Sequence, residues 1–338
     1  MAGLAVISPG FPRLRGGVTD HTARLTANWK SWDHEVTVIA DLAPPQRLVE
    51  QWQKAEIDAL LVQYVPFLFG PRGLSAWPQR LLEIARQAQI RTTVFVHEPW
   101  VPPTRLPWLI LSPLQKRQLG RISSVADEVV TAVPAWRSLL PGESKIVYVG
   151  STLPALANAS NNPRWNAPTV FSPLAAGLNW EWIHAAAVAI EAEEGLRVIG
   201  STLEESKNNR SVARWLYPGA TWTGRLEPEE VVADLARSRL VLAPFVDGAS
   251  ARRTSIFAAL STGVRVLSSS GPLFDAEFGD KLVTAAESKE QFVEQAVKLW
   301  STQMTDAEQE SRLEEYRRRL SPEDLDRRLL QIMLGSRT

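Results

Sequence analysis

The chain has no cysteine among its 338 residues. Disulfide bonds and thiolate zinc sites are therefore excluded, and the absence is consistent with a cytoplasmic protein. Histidine is also scarce. Its four copies, His21, His34, His97 and His184, lack the spacing of metal ligands, so the sequence predicts no metal site.

An excess of charge and a long apolar run are missing as well. Lys+Arg and Asp+Glu are both 37, whereas a nucleic-acid-binding protein usually carries a basic excess, so no nucleic-acid partner is expected. No apolar run approaches the ~20 residues of a membrane span, which predicts no integral membrane segment. The first eight residues lack a charged start and predict a strand rather than a signal peptide.

Apolar β-branched runs alternate with helical patterns along most of the chain. This alternation predicts parallel sheets covered by helices on both faces, an α/β fold. The alternation stops at residues 150–168, which are rich in Ser, Asn, Ala and Pro, and then restarts. The length also favours two domains, and a cleft between two such domains is a favoured ligand site.

The most informative segment lies between a predicted strand and a predicted helix. It contains an acidic residue, a glycine, a serine and two adjacent arginines, namely Asp247, Gly248, Ser250, Arg252 and Arg253. Ligands bind at the carboxyl ends of parallel strands, and the N–H groups that open a helix suit a phosphate. Guanidinium groups match phosphate oxygens, and a carboxylate can accept sugar hydroxyls. The segment predicts a diphosphate site beside a sugar site; a solvated loop with two surface arginines is the alternative.

Several short motifs occur in a consistent order along nearly the whole chain. They are residues 16–25, Gln63 with Tyr64, residues 94–100, residues 112–115, residues 149–154 and residues 247–264. Together they resemble the motifs of retaining glycosyltransferases of family 4. The resemblance implies the GT-B fold, in which two Rossmann-like, doubly wound parallel-sheet domains face each other across a cleft and the closing helices cross back.

The domain limits that follow are residues 1–155 for an N-terminal acceptor-side domain and residues 156–320 for a C-terminal nucleotide-sugar domain. Residues 321–338 are expected to form a helix that returns to the N-terminal domain. A break at Pro322 and a stripe of Leu325, Leu329, Leu330 and Met333 agree with such a helix.

The resemblance also implies an activity, namely transfer of a sugar from a nucleotide-diphosphate sugar with retention of configuration. The donor is a substrate, and no metal or other cofactor is expected because arginines would hold the diphosphate. The acceptor could be a sugar, a glycan or a lipid-linked molecule, and a homodimer is left open.

The expected catalytic residues are His97, Asp247, Arg252 and Arg253. The expected substrate-binding residues are Gly16, Gly17, Asp20, Glu98, Trp180, Gly248, Ser250, Thr254 and Ser255. Asp247 and the Gly248 amide would hold sugar hydroxyls, and His97 would contact the donor sugar. Each also has a structural alternative, such as a tight turn for the glycines, complementation of a helix dipole for Asp20 and core packing for Trp180.

Two departures from the family pattern leave other functions open. The loop at residues 172–179 lacks the usual arginine and lysine, and Ala258 stands where the family carries a second carboxylate. Arg252 and Arg253 could replace the missing cations from another loop. Otherwise the chain is a non-catalytic nucleotide- or sugar-binding regulatory protein. A weaker alternative is a sugar-nucleotide epimerase with Glu98 and Asp247 as acid and base.

Overall fold

The structure is a computed structural model that describes residues 1–14, 16–140, 142–156, 163–171 and 177–335. The chain forms two compact units. One consists of Met1–Val149 and Pro322–Thr338, and the other of Gly150–Ser321. Within the described ranges, no helix combines the length and the apolar character needed to cross a membrane.

The first unit is built on a six-stranded parallel sheet. Its strands are β1 (Gly3–Ile7), β2 (Glu35–Ile39), β3 (Ile57–Tyr64), β4 (Arg91–Val96), β5 (Glu128–Thr131) and β6 (Ser144–Ile146), in the order β2-β1-β3-β4-β5-β6. The helices of this part are α1 (Gly17–Ser31), α2 (Pro45–Lys54), α3 (Trp77–Gln87) and α4 (Leu106–Val125). Every residue of β1 is buried, as expected for a central strand covered on both faces.

The second unit repeats this architecture. Its strands are β7 (Thr169–Phe171), β8 (Leu196–Ile199), β9 (Ala220–Trp222), β10 (Leu240–Ala243), β11 (Arg265–Ser269) and β12 (Val283–Ala286), in the order β12-β11-β10-β7-β8-β9. Its helices are α5 (Trp180–Ile190), α6 (Leu203–Asn208), α7 (Arg210–Ala213), α8 (Pro228–Ala236), α9 (Thr254–Leu260), α10 (Gly279–Leu282), α11 (Lys289–Ser301) and α12 (Asp306–Leu320). The predicted α/β fold with two doubly wound parallel sheets is confirmed.

The last helix, α13 (Pro322–Leu334), belongs to the first unit and contacts α1, β3 and β4. Its apolar stripe is buried. A buried ion pair adds a polar tie, because Arg24 Nη2 lies 2.7 Å from Asp326 Oδ1 and also donates to the Val149 carbonyl oxygen at 2.6 Å. Burial raises the pKa of Asp326, and the bonds from Arg24 and Asn28 oppose that rise.

Some local predictions were wrong. The helical pattern of residues 113–125 predicts a helix that starts at Pro113, but α4 begins at Leu106 and Pro113 lies inside it. The sequence pattern also predicts one short helix that ends within residues 212–217, and no strand between residues 268 and 288. The structure has two short helices, α6 and α7, and strand β12 in these places. Residues 157–162 of the predicted linker lie outside the described residues.

Candidate functional site

Strand order marks one place in the second sheet as the natural binding site. The chain runs outward from β7 through β8 and β9 and then returns to β10 on the other side of β7. At such a switch point the loops after the two neighbouring strands diverge and leave a crevice at their carboxyl ends. The loop that contains both arginines follows β10 and precedes α9, between a strand and a helix as the sequence predicted.

Asp247 holds both arginines of this loop. Its Oδ2 lies 3.0 Å from Arg252 Nη1, and its Oδ1 lies 2.6 Å from Arg253 Nη2. All three side chains are partly buried. One carboxylate between two guanidinium groups leaves the trio with a formal charge of +1. The arrangement presents positive charge at the strand ends and restrains both arginines before any ligand arrives.

The loop after β7 lies directly against Arg253. A Cβ atom added to Gly177 would fall 2.7 Å from Arg253 Nη2, and the φ of Gly177 is +112°. The Val246 amide donates to the Gly177 carbonyl at 2.7 Å, and the Arg253 guanidinium lies 4.5 Å from the centre of the Phe245 ring. Arg253 therefore reaches the loop in which the sequence lacks its expected cations. Residues 172–176 of that loop lie outside the described residues.

The predicted role of the Gly248 amide needs correction. This N–H donates to the Phe245 carbonyl at 2.8 Å, so it is already used inside the loop. The glycine itself is required by the backbone. Its φ is +88°, and a Cβ atom would fall 2.8 Å from the amide nitrogen of Gly271. Gly248 shapes the turn that carries Asp247 and is not a ligand donor.

Ser250 has an unused hydroxyl. It is fully buried, and within the described part of the chain its Oγ has no hydrogen-bond partner. Such a group is costly unless something completes it. Thr254 and Ser255 are the first two residues of α9, where helix geometry leaves N–H groups without an intrahelical partner. These three residues lie in the loop and helix start predicted for the diphosphate.

The ring of Trp180, a predicted substrate-binding residue, packs inside the second unit. Trp180 is the first residue of α5, is almost completely buried and stacks on Trp222 with ring centroids 6.0 Å apart. Its ring serves core packing. Ala258 is also buried, in α9, so no carboxylate occupies that position of the helix.

A histidine pocket lies at the carboxyl ends of β3 and β4 in the first unit. His97 follows β4, stacks on Phe95 at 4.6 Å and approaches His21 edge-on at 5.4 Å. Its Nε2 lies 2.5 Å from Gln63 Oε1. With this amide orientation Nε2 carries the proton and Nδ1 holds a lone pair.

Burial controls the charge of this pocket. It lowers the pKa of His97 to about 3, so the imidazole is neutral at physiological pH. Burial also lowers the pKa of His21, and the nearby charge of Arg24 adds to that effect. Among the described residues, His21 Nδ1 and Gln63 Nε2 have no hydrogen-bond partner although both side chains are buried. The sequence did not single out either residue as a site residue.

The glycine-rich segment lies close by in sequence. Gly16 is the N-cap of α1 with φ of +145°, and a Cβ atom there would meet nothing within 4 Å, so the backbone conformation alone requires glycine. Gly17 opens the helix. Asp20 lies in the first turn and is exposed, and partial desolvation raises its pKa. Glu98 directly follows His97 and is partly exposed.

The geometry of the cationic trio fits a site for anionic organic ligands. Within the described residues, no group of three or more His, Asp or Glu side chains is placed to hold a metal ion. Among the described residues, the cationic trio and the neutral histidine pocket both place functional groups at strand ends.

Comparison with known proteins identifies the fold. No protein-family model and no curated protein sequence matches the chain. A glycosyltransferase from Rickettsia africae matches with a TM-score of 0.69 and 13% identity over 98% of this chain and 97% of its own. AviGT4, a glycosyltransferase of avilamycin A biosynthesis, matches with a TM-score of 0.62 and 15% identity, over 98% of this chain and 96% of its own. HepE of Anabaena, solved with UDP, matches with a TM-score of 0.65 and 13% identity, over 98% of this chain and 99% of its own.

The chain has the GT-B fold. Identities this low establish the architecture, and the activity has to be argued from the residues of the site.

Proposed function

We propose that the protein is a glycosyltransferase that moves a sugar from a nucleotide-diphosphate sugar to an acceptor. The observation that carries this proposal is the pair of arginines held by Asp247 at the β7–β10 switch point. The neighbours add support, because several of them are glycosyltransferases and HepE was solved with UDP.

The arginines would stabilise the leaving group. Charge accumulates on the diphosphate as the bond to the sugar breaks, and donors fixed in advance stabilise that charge without reorganising. Arg252 and Arg253 would contact the diphosphate oxygens, and Ser250 with the first N–H groups of α9 would complete the site. Asp247 would keep the arginines oriented and accept sugar hydroxyls from the donor.

His97 would act as a neutral hydrogen-bonding group near the donor sugar. A pKa of about 3 excludes a protonated imidazole at physiological pH, so its part would be positioning rather than acid catalysis. We further propose that transfer proceeds with retention and without a metal, as in the family 4 enzymes that the sequence resembles.

Isothermal titration with UDP tests the diphosphate site. The double variant R252A/R253A should bind UDP roughly a hundredfold more weakly, because a charge-assisted hydrogen bond contributes about 1.5–3 kcal/mol. R317A/R318A is a matched control, since it also removes two ion-paired arginines of the same unit. It should bind UDP as the wild type does. Equal affinity in all three proteins would overturn the assignment.

Hydrolysis of UDP-glucose without an acceptor tests catalysis. Release of glucose should require His97 and Asp247 and should continue in the presence of EDTA. Proton NMR of the first product formed should show the α anomer, because the donor is α-linked. Release of the β anomer would refute retention, and loss of activity in EDTA would refute metal independence.

The second candidate is a binding protein without transferase activity. It is favoured by Ala258, which is buried where the family pattern has a carboxylate. Such a protein would bind UDP through the arginines but would hydrolyse no donor. Wild-type UDP binding combined with no turnover across a panel of UDP- and GDP-sugars would support this candidate.

A further inference from the structure

Over its first three turns, helix α4 points polar side chains inward and apolar side chains outward. Gln115 and Gln118 point inward. Gln115 accepts from the Val101 amide at 2.9 Å and donates to the Arg72 carbonyl at 2.8 Å. Gln118 accepts from the Ser75 amide at 2.6 Å. These bonds fix the helix on its loops with polar atoms on the buried side.

The outward side of the same turns is apolar. Leu106 is 80% exposed, Leu109 52%, Ile110 71% and Leu114 46%. Residues three and four positions apart share one side of a helix, so the four side chains form a continuous apolar surface. Surface helices usually point such a stripe at the core. Because the hydrogen bonds of Gln115 and Gln118 fix the opposite side of the helix, α4 cannot rotate to bury these four apolar side chains.

Cations flank this surface at both ends, and acids are missing. Arg117 and Arg121 continue the exposed side toward the carboxyl end, beside the exposed Lys116. At the other end Arg105 covers the Trp108 ring at 3.6 Å. No Asp or Glu occurs in residues 99–126, although the whole chain is electrically balanced. Within the described residues, Lys116, Arg117 and Arg121 form no ion pair.

We infer that the exposed side of α4 docks on the surface of an anionic lipid bilayer. The leucines and isoleucine would enter the boundary between headgroups and acyl chains, and the cations would contact lipid phosphates. Trp108 would lie at the headgroup level, where tryptophan is enriched.

Charge decides between this occupant and a second copy of the chain. A twofold interface places one surface against itself, so the flanking cations of two copies would lie near each other without intervening acids. An anionic lipid surface neutralises the same cations.

The consequence for substrate rests on the proposed function. Docking by this helix would bring the enzyme to an acceptor carried by the lipid surface. Docking itself requires no donor, so the two ideas fail separately. A protein that binds vesicles but not UDP would contradict the transferase, and one that binds UDP but not vesicles would contradict the docking.

Vesicle co-sedimentation of the full chain tests the inference. The wild type should sediment with phosphatidylcholine vesicles that contain phosphatidylglycerol, and far less with phosphatidylcholine alone. L106S/I110S should bind at least tenfold more weakly. R117Q/R121Q should lose roughly 20-fold, because each cation near an anionic surface contributes about a fivefold factor.

Matched controls use the second unit. V188S/V297S removes two exposed apolar side chains, and R317Q/R318Q removes two exposed cations. Both should sediment as the wild type does, and circular dichroism should show all variants folded. Absence of wild-type binding, or equal losses in the controls, would overturn the inference. A dimer in analytical ultracentrifugation that L106S/I110S dissociates, without vesicle binding, would replace it with self-association.

Discussion

Replacing Gln63 by glutamate tests the account of the histidine pocket. In the wild type the Gln63 amide oxygen lies 2.5 Å from His97 Nε2 and carries no charge. Burial, with no carboxylate to offset it, lowers the pKa of His97 to about 3. Q63E puts an ionisable oxygen at the same position with almost the same shape, so it changes the charge and little else.

The size of the effect follows from the distance. Two unit charges about 4 Å apart in an effective dielectric of about 20 attract by about 4 kcal/mol, or about three pKa units. Burial of the new carboxylate opposes this gain, so a rise of roughly one to three units in the pKa of His97 is expected.

The change should also appear in stability against pH. In the wild type the folded-state pKa lies below the ordinary 6.5 of histidine. The stability linked to His97 is therefore complete above pH 6.5 and is lost as the pH falls toward 3. Each unit corresponds to about 1.4 kcal/mol, so the acid-side loss in Q63E should be smaller by roughly one to four kcal/mol.

NMR of the imidazole nitrogens gives the direct measurement, with H97Q identifying the signals. Q63M is the control, because it keeps the volume without a charge and should leave the pKa of His97 low. A pKa of His97 in Q63E equal to that of the wild type would refute the reasoning.

Three further changes have defined outcomes. D326A should lower the free energy of unfolding by about 3–5 kcal/mol, since it leaves a buried arginine without its carboxylate. E323A removes only an exposed ion pair and should lower the same free energy by less than about 0.5 kcal/mol. Urea unfolding followed by tryptophan fluorescence measures both. G248A should lower the melting temperature more than G142A, which has a similar positive φ but open space around it. Equal shifts in melting temperature would contradict the expected clash between a Cβ atom at Gly248 and the backbone of Gly271. S250A should retain full stability without ligand, because the hydroxyl has no partner among the described residues, and should bind UDP roughly tenfold more weakly in titration calorimetry.

The sequence predicted the architecture well because buried parallel strands are nearly continuous apolar runs that few other structures produce. It failed where a local pattern was weak. Strand β12 has only four residues, and the helical pattern of residues 113–125 predicts the first turn of α4 at Pro113. In fact Pro107 occupies that position and Pro113 lies within the helix.

For the candidate site, the sequence indicates which loops carry the residues but not how those residues are bonded. Loops after β4 and β10 could be located from the order of the elements, so the sequence places His97 and Asp247 at strand ends. Hydrogen bonds within and between loops leave no such pattern. The Gly248 amide is used by a residue three positions earlier, and Gln63 meets His97 only because β3 and β4 are neighbours. A buried glutamine within an apolar strand is the signal that could have identified Gln63.

The contact between Arg253 and Gly177 explains how the loop after β7 can lack cations. A guanidinium that reaches this loop from the β10 side brings positive charge to the same strand ends. Asp247 stabilises that arrangement, because the positive charges of two adjacent arginines would otherwise repel each other. Gly177 makes it possible, because any side chain there would displace the guanidinium. On this argument G177A should weaken UDP binding as R253A does. G177A should leave Arg252 in place. The double variant R252A/G177A should therefore bind UDP no better than R252A/R253A. Titration calorimetry that finds G177A equal to the wild type would show that Arg253 does not act from this position.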